Sequence, residues 1–207
     1  MTTSTTYPNG QVLQSSALMQ AQISTLLQTL TYGMLGLTAP SLSTWQPVQV
    51  DWQTQGQPAS QGPQIDVCYI SCVTQDEPYT KVRDRTFSGV GPVTETWVYT
   101  RCWRINWVLY GPNSTDRARA IWSAMFMDYF NDALSLQNLY PVSDFDSPVR
   151  APELVQAQWW DRSDFSISLY EQVTETIQDT IATQVEVKVY DGSPTDPVAD
   201  ITVSPRS

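Results

Sequence analysis

The carboxylates Asp144, Asp146, Glu153, Asp161 and Asp164, close in sequence to Trp159 and Trp160, are the residues of this chain best placed to do chemistry. Two acids in a Trp-rich cleft are the arrangement of sugar-cleaving enzymes, in which one protonates the leaving group and the other acts as base or nucleophile. Nothing in their spacing selects a pair, so surface charge is the simpler reading. The 207 residues contain no histidine. That removes every Ser-His and Cys-His nucleophile, every His-ligated metal and the commonest general base near neutral pH. Cys68, Cys72 and Cys102 form an odd set without CxxC spacing, and in a strand Cys68 and Cys72 share one face. Buried free thiols in a reducing compartment are expected. P-loop and dinucleotide fingerprints and clustered metal ligands are absent from the sequence, so no catalytic residue, cofactor or metal is expected.

Basic residues are few, 11 Lys and Arg against 21 Asp and Glu, for a net charge of −10. A sequence-independent grip on DNA comes from Lys and Arg displacing phosphate counterions, so this balance disfavours it. The charge is also uneven: residues 1–110 carry five basic and six acidic side chains, residues 111–207 six and fifteen. Only 15% of the chain is charged, beside eight Trp and ten Tyr. Aromatic surface in that amount suggests coverage by partners. One small basic cluster, Lys81, Arg83 and Arg85, alternates with Val82 and Asp84. It reads either as a docking element for an acidic rim or as a solvated loop paired locally to Asp84. As a DNA grip it is too small.

The elements that must position these residues follow from periodicity. Met19, Ile23, Leu26, Leu27 and Leu30 form a helical stripe, predicting an amphipathic helix over 12–31 that Gly33 and Gly36 stop. Its other face is Ser, Thr and Gln, uncharged, and suits contact with a neighbouring subunit. Residues 48–52 read as a short strand and 53–63 as an exposed loop. Residues 65–74 read as a central strand covered on both faces. In 93–110, Trp97, Tyr99, Trp103, Ile105, Trp107 and Leu109 share one parity, predicting a long strand with an aromatic face. The two runs pair as an antiparallel hairpin, with the basic cluster at its tip. A turn at 111–114 leads to a helix over 114–137, with Asp116 in its first turn. Pro141, Pro148 and Pro152 mark an irregular crossing. Phe165, Ile167, Leu169 and Val173 alternate with polar residues, as do Val185, Val187 and Val189, predicting two half-buried strands joined near 175–183.

The fold class expected from this order is α+β: a mixed, mainly antiparallel sheet with a long helix packed on it and an N-terminal amphipathic helix. Residues 1–11 read as a flexible lead, 12–190 as one domain and 191–207 as an extended arm. The first ten residues lack the basic and apolar regions of a secretory signal, and no apolar run approaches membrane-spanning length, so a cytoplasmic origin is expected. Arg162, between Asp161 and Asp164, reads as an ion-paired turn or an interface pair. Trp159 and Trp160 point to opposite faces if extended, one into the core and one toward a partner.

A strand ending in Tyr110-Gly111, a helix, the crossing Arg150-Ala151-Pro152-Glu153-Leu154, the turn Gln158-Trp159-Trp160-Asp161-Arg162-Ser163-Asp164 and an alternating strand together resemble the phage neck and tail terminator proteins. The resemblance spans roughly residues 12–190, its specific part 102–174. It implies a non-enzymatic virion protein at the neck, assembled in the host cytoplasm. Such a protein forms a ring, commonly of six copies, that caps the tail tube and meets the head-tail connector. Lys81, Arg83, Arg85, Trp159, Trp160, Arg162 and Asp164 are then the candidate interface residues toward tube, connector or neighbouring subunit. An acidic channel wall would let DNA pass without sticking. A head-completion or connector-adaptor neck protein is the nearest alternative. From another class, a glycan-binding module would use exposed Trp as stacking platforms, although most Trp here fall at core parity.

Overall fold

The computed structural model describes residues 3–7, 11–38, 47–50, 62–89, 93–143, 145–179, 185–190 and 197–203. In chain order the elements are β1 (Thr3–Thr6), β2 (Val12–Ser15), α1 (Gln20–Met34), β3 (Val48–Val50), β4 (Val67–Gln75), a 3-10 turn (Pro78–Lys81), β5 (Arg83–Ser88) and β6 (Val93–Tyr110). Then follow α2 (Ser114–Ala124), α3 (Asp128–Ser135), β7 (Leu139–Pro141), β8 (Val149–Arg150), β9 (Glu153–Val155), β10 (Gln158–Trp160), β11 (Arg162–Asp179), β12 (Val185–Tyr190) and β13 (Pro197–Val203). The class is α+β, and the main sheet is antiparallel except where β3 runs parallel to β4.

Strands β6 and β11 pair antiparallel over their whole lengths, from Arg162 opposite Tyr110 to Asp179 opposite Val93. β4 and β5 share the other side of β6, while β2, β7 and β8 share the other side of β11, and β1 adds beyond β2. Alternation along the ladder sends one parity to each face. Trp103, Ile105, Trp107 and Leu109 of β6, Phe165, Ile167 and Leu169 of β11, and Cys68, Ile70 and Cys72 of β4 form the main core with the helices. Trp107 and Phe165, directly opposite, stack with ring centroids 5.0 Å apart. On the other face Val67, Tyr69, Val108 and Tyr110 gather around Trp160 in a smaller core. β4 is therefore covered on both faces at its start, as its apolar run predicts.

Helix α1 starts at Gln20, and residues 12–15, read as its first turns, are strand. Two serines explain this. Ser15 donates to Glu175 at 3.3 Å, and Ser16 exchanges bonds with Thr174 of β11 through its backbone N–H (3.0 Å) and its hydroxyl (2.8 Å). The stripe holds from Ile23 onward, with Ile23, Leu27 and Leu30 buried and Met19 exposed. Gly36 ends the helix at φ +64, its N–H donating to Gly33 while Leu37 donates to Tyr32, the double bond pattern of a Schellman cap. The glutamines of the uncharged face are partly engaged: Gln20 donates to the Cys72 carbonyl and Gln28 to that of Val48, each at 2.8 Å.

The long helix expected over 114–137 is two helices. A straight continuation of the Ala118, Ile121, Met125 stripe would bring Tyr129 and Asp132 onto the core. The break at 125–127, where Phe126 and Met127 make i→i−3 bonds, turns Phe130 and Leu134 inward and leaves Tyr129 exposed. Two further expectations are corrected. The basic cluster is not a hairpin tip, because Arg83 and Arg85 lie within β5 and the turn into β6 follows Ser88. β12 pairs with β13 in a separate two-stranded sheet, and β11 runs on to Asp179. Strands also occupy Thr3–Thr6, in the lead, and Pro197–Val203, in the stretch read as an arm. Threonine favours strands, and proline is tolerated at a strand's first position. The loop read over 53–63 lies outside the described residues except for its last two positions.

Glu171, only 1% exposed, ties the sheet to α1. It sits opposite Arg101 in the ladder and pairs with it at 2.6 Å, accepts from Trp103 Nε1 at 2.7 Å, and accepts from the Leu18 N–H at 2.6 Å where the chain enters α1. Breaking a buried pair leaves its partner uncompensated, so Glu171→Ala should lower stability by about 3 kcal/mol in urea unfolding, with a smaller loss for Glu171→Gln. An unchanged midpoint would show that the pair holds nothing. The three cysteines are free and buried. Burial, helped by Glu77, whose carboxylate lies 3.4 Å from the sulfur, pushes the Cys102 thiol up to about 11. Burial likewise raises Cys68 well above the usual thiol range. A disulfide reagent at pH 8 should therefore label none of the three in the native protein and all three after unfolding.

Candidate functional site

The chain reverses at the end of β6, and the reversal needs a glycine. Gly111 has φ +111, and a Cβ there would meet Asp66 Oδ1 at 2.5 Å and the Asp66 Cα at 2.7 Å. Asp66 accepts from the backbone and side chain of Asn113, both at 2.9 Å, and pairs with Arg117 at 3.2 Å, which fixes the start of α2. Beside this turn, Arg162 opens β11 opposite Tyr110. Its guanidinium binds Glu153 at 2.9 Å and Asp164 at 2.7 Å, and lies 5.7 Å from the centre of the Tyr110 ring. Tyr110 donates its hydroxyl to Glu153 at 2.6 Å. Asp161 pairs with Arg150, not with Arg162. The crossing and the Gln-Trp turn singled out in the sequence are thus one ionic cluster, which joins the crossing to the sheet.

Within it, the hydrogen bond from Tyr110, reinforced by Arg162, holds Glu153 below the usual carboxylate range against the opposing effect of burial. Burial and the Glu153 hydrogen bond raise the Tyr110 hydroxyl, and the bonds to Asp164 and Glu153 raise Arg162 further. Glu153, Tyr110 and Arg162 are therefore each kept in their ordinary charge state. A glycosidase general acid needs the reverse, a carboxyl raised toward neutrality. Among the described residues no cluster of three metal-ligating side chains occurs.

The same cluster roots a projecting hairpin, β9–β10. Its two-residue turn puts Gln156 at φ 49 and Ala157 at φ 62, left-handed positions where Asn-Gly is the favoured sequence and where each L-residue costs about 1–2 kcal/mol. Trp160 faces inward, edge-on to Tyr110 with centroids 6.1 Å apart. Trp159 faces out at 70% exposure, and its register partner Leu154, on the same face, is 56% exposed. One tryptophan in the core and one out is the split that their adjacency predicts.

The other candidate residues lie elsewhere. Arg83 is opposite Tyr99 and Arg162 opposite Tyr110, so about 36 Å of strand separates them at roughly 3.3 Å per residue. Arg83 sits 4.2 Å over the Tyr99 ring and 3.8 Å from Glu175, whose carboxylate also accepts from the Tyr99 hydroxyl. Arg85 pairs with Glu95, which also accepts from Trp97 Nε1, and Lys81 pairs with Asp76 at 3.1 Å. Asp84, the expected local partner, holds none of them in these pairs. The structure thus gathers Trp159, Trp160, Arg162 and Asp164 at one end of the ladder and Arg83 and Arg85 in its far half, opposite Tyr99 and Trp97, with Lys81 leading into β5. Sequence reasoning missed Tyr110, Arg150 and Glu153 as members of the first group. The short spacing between the Arg-Ala-Pro-Glu-Leu crossing and the Gln-Trp turn was the available signal.

A family model described as phage neck terminator protein matches residues 19–193, a span that contains all seven candidate residues. No curated protein matches the chain.

Removing Arg162 should release both carboxylates and loosen the hairpin. Arg162→Ala is expected to cost about 1–3 kcal/mol in urea unfolding and to red-shift the fluorescence of Trp160. Because the folded-state pKa of Glu153 is depressed, its stabilisation is present above the ordinary carboxylate range and is lost as pH falls through the depressed value. Glu153→Gln should therefore lower the midpoint at pH 7 and flatten its acid dependence; parallel curves for the two proteins would contradict this.

Proposed function

The chain belongs to the phage neck terminator family and so is a structural protein of the virion, and from that premise we propose that it closes into a ring, of six copies, that ends the tail tube and joins it to the head-tail connector. The observation that supports this reading is the separation of the candidate residues along one strand ladder, one group at its Tyr110 end and the other about 36 Å away in its far half. A piece inserted between two different partners needs two docking ends held at a fixed distance, and a continuous hydrogen-bonded strand pair provides that. In this reading the part of the ladder bearing Arg83 and Arg85, approached through Lys81, meets one axial partner and the end bearing Arg162 and Asp164 meets the other, while Trp159 beside that end faces a neighbouring copy.

The mechanism is stoichiometric binding. A ring seated on the last tube ring covers its apolar and aromatic surface and presents a face to which further tube subunits cannot add, so tube length is set by surface replacement. The paired state of Arg83 and Arg85 suits this role, because an arginine already held over an aromatic ring loses little freedom on docking. The acidic excess of residues 111–207, repeated around a channel, repels the phosphate backbone and lets DNA pass without specific binding. Assembly takes place in the host cytoplasm and needs no enzyme activity or cofactor.

A direct test is elongation of purified tail tubes from added tube protein, followed by electron microscopy. Addition of this chain should stop growth at saturation of about one ring per tube end. Arg83→Glu with Arg85→Glu should weaken capping at least tenfold at low salt. Tubes that elongate at the same rate with saturating protein would contradict the terminator reading, and a chain that stays bound to the connector alone would favour a connector adaptor.

A further inference from the structure

A closed ring, the reading on which this inference rests, is built from head-to-tail contacts and needs two different complementary surfaces on each copy. In a protein of net charge −10, contact between copies is opposed wherever unpaired carboxylates would face each other. The outer surface of α3 shows the difficulty: Phe126, Met127 and Tyr129 are exposed there, but so are Asp128 and Asp132. Among the apolar features of the described surface that escape it, two lie on different elements and differ in shape. One is the exposed face of the β9–β10 hairpin, where Trp159 and Leu154 stand side by side and the adjacent acids are already held, Glu153 by Tyr110 and Arg162 and Asp161 by Arg150. The other is a groove of about 510 Å³ along the first half of α1, lined by Leu18, Ala21, Gln22, Thr25, Leu26 and Gln137, none of them charged.

These features lie on opposite faces of the sheet. The hairpin packs on the small core around Tyr69 and Tyr110, whereas α1 packs on the main core. Opposite placement suits a contact that repeats from copy to copy around a ring. A knob and a groove, both uncharged, also avoid the repulsion expected between copies of a chain of net charge −10. We propose that Trp159 and Leu154 of one copy seat in the α1 groove of the next copy. The strained turn at Gln156 and Ala157 then has a use, since it fixes the register that puts Trp159 beside Leu154 on the outer face of the hairpin. Tryptophan is also the residue type most enriched among interface anchors.

The test uses two full-length variants, Trp159→Ala on the knob and Ala21→Asp in the groove. Both sites are exposed, and an acid in the first turn of α1 suits the helix, so circular dichroism should match the parent protein. Mass is measured by light scattering, free and with purified tail tubes. Each variant alone should assemble at least tenfold more weakly than the parent. An equimolar mixture should form a heterodimer of twice the monomer mass and stop there, because the Ala21→Asp copy still offers its hairpin and the Trp159→Ala copy its groove. Variants that assemble like the parent would overturn the contact while leaving the ring standing. Two defective variants whose mixture stays monomeric would show that hairpin and groove do not meet each other and serve the tube or connector instead. A parent protein that never assembles, with or without tubes, would remove the ring reading and this contact with it.

Discussion

The pairing of β6 with β11 is the constraint on which the rest of the molecule depends. It aligns two strands of eighteen residues, and every other strand of the main sheet except the outermost, β1 and β3, attaches directly to one of them. Because side chains alternate, a slip of one residue would carry Phe165, Ile167 and Leu169 away from the helices and move Glu171 from its place opposite Arg101. Two chemically different penalties therefore guard the same register. One is loss of apolar burial, spread along the strand. The other is an unpaired buried carboxylate, concentrated at one point, which also anchors the entry to α1.

Much of this frame is legible in the sequence because it is written in periodicity. The bounds of β6 agree with its run of one-parity aromatics, and the alternation at Phe165, Ile167 and Leu169 places β11 on the same core. What is not legible depends on partners far along the chain. Ser15 and Ser16 look like part of a helical face until Thr174 and Glu175 lie beside them. The break before α3 is hidden because Tyr129 and Phe130 are both aromatic, and only the three-dimensional core selects Phe130. Arg83 and Arg85 read as a basic loop because Glu95 and Glu175 are distant in sequence. The Arg162 cluster is half legible: its neighbour Asp164 does pair with it, whereas Asp161, adjacent in sequence, pairs with Arg150.

The pattern of charge connects fold to function. Arg83, Arg85, Arg150 and Arg162 are each held by a carboxylate, and Arg83, Arg85 and Arg162 also lie near an aromatic ring, that of Phe87 for Arg85. Such pairs contribute little stability where they are exposed, but they fix where a positive group and its flat neighbour are presented. The uncharged apolar surfaces, at the hairpin and along α1, face away from each other across the sheet. On this account the two arginine groups spaced along the ladder serve the axial partners and the sheet faces serve neighbouring copies, so one subunit carries both kinds of contact.

The central claim, that this chain forms a single ring between tail tube and connector, is tested most directly by a cryo-electron microscopy map of the neck in intact particles, with the copy number checked by quantitative mass spectrometry. The account predicts one closed ring of six copies at the head-proximal end of the tube, with the channel open for DNA. Copies repeated along the tail, or a mature particle that lacks the chain, would contradict it.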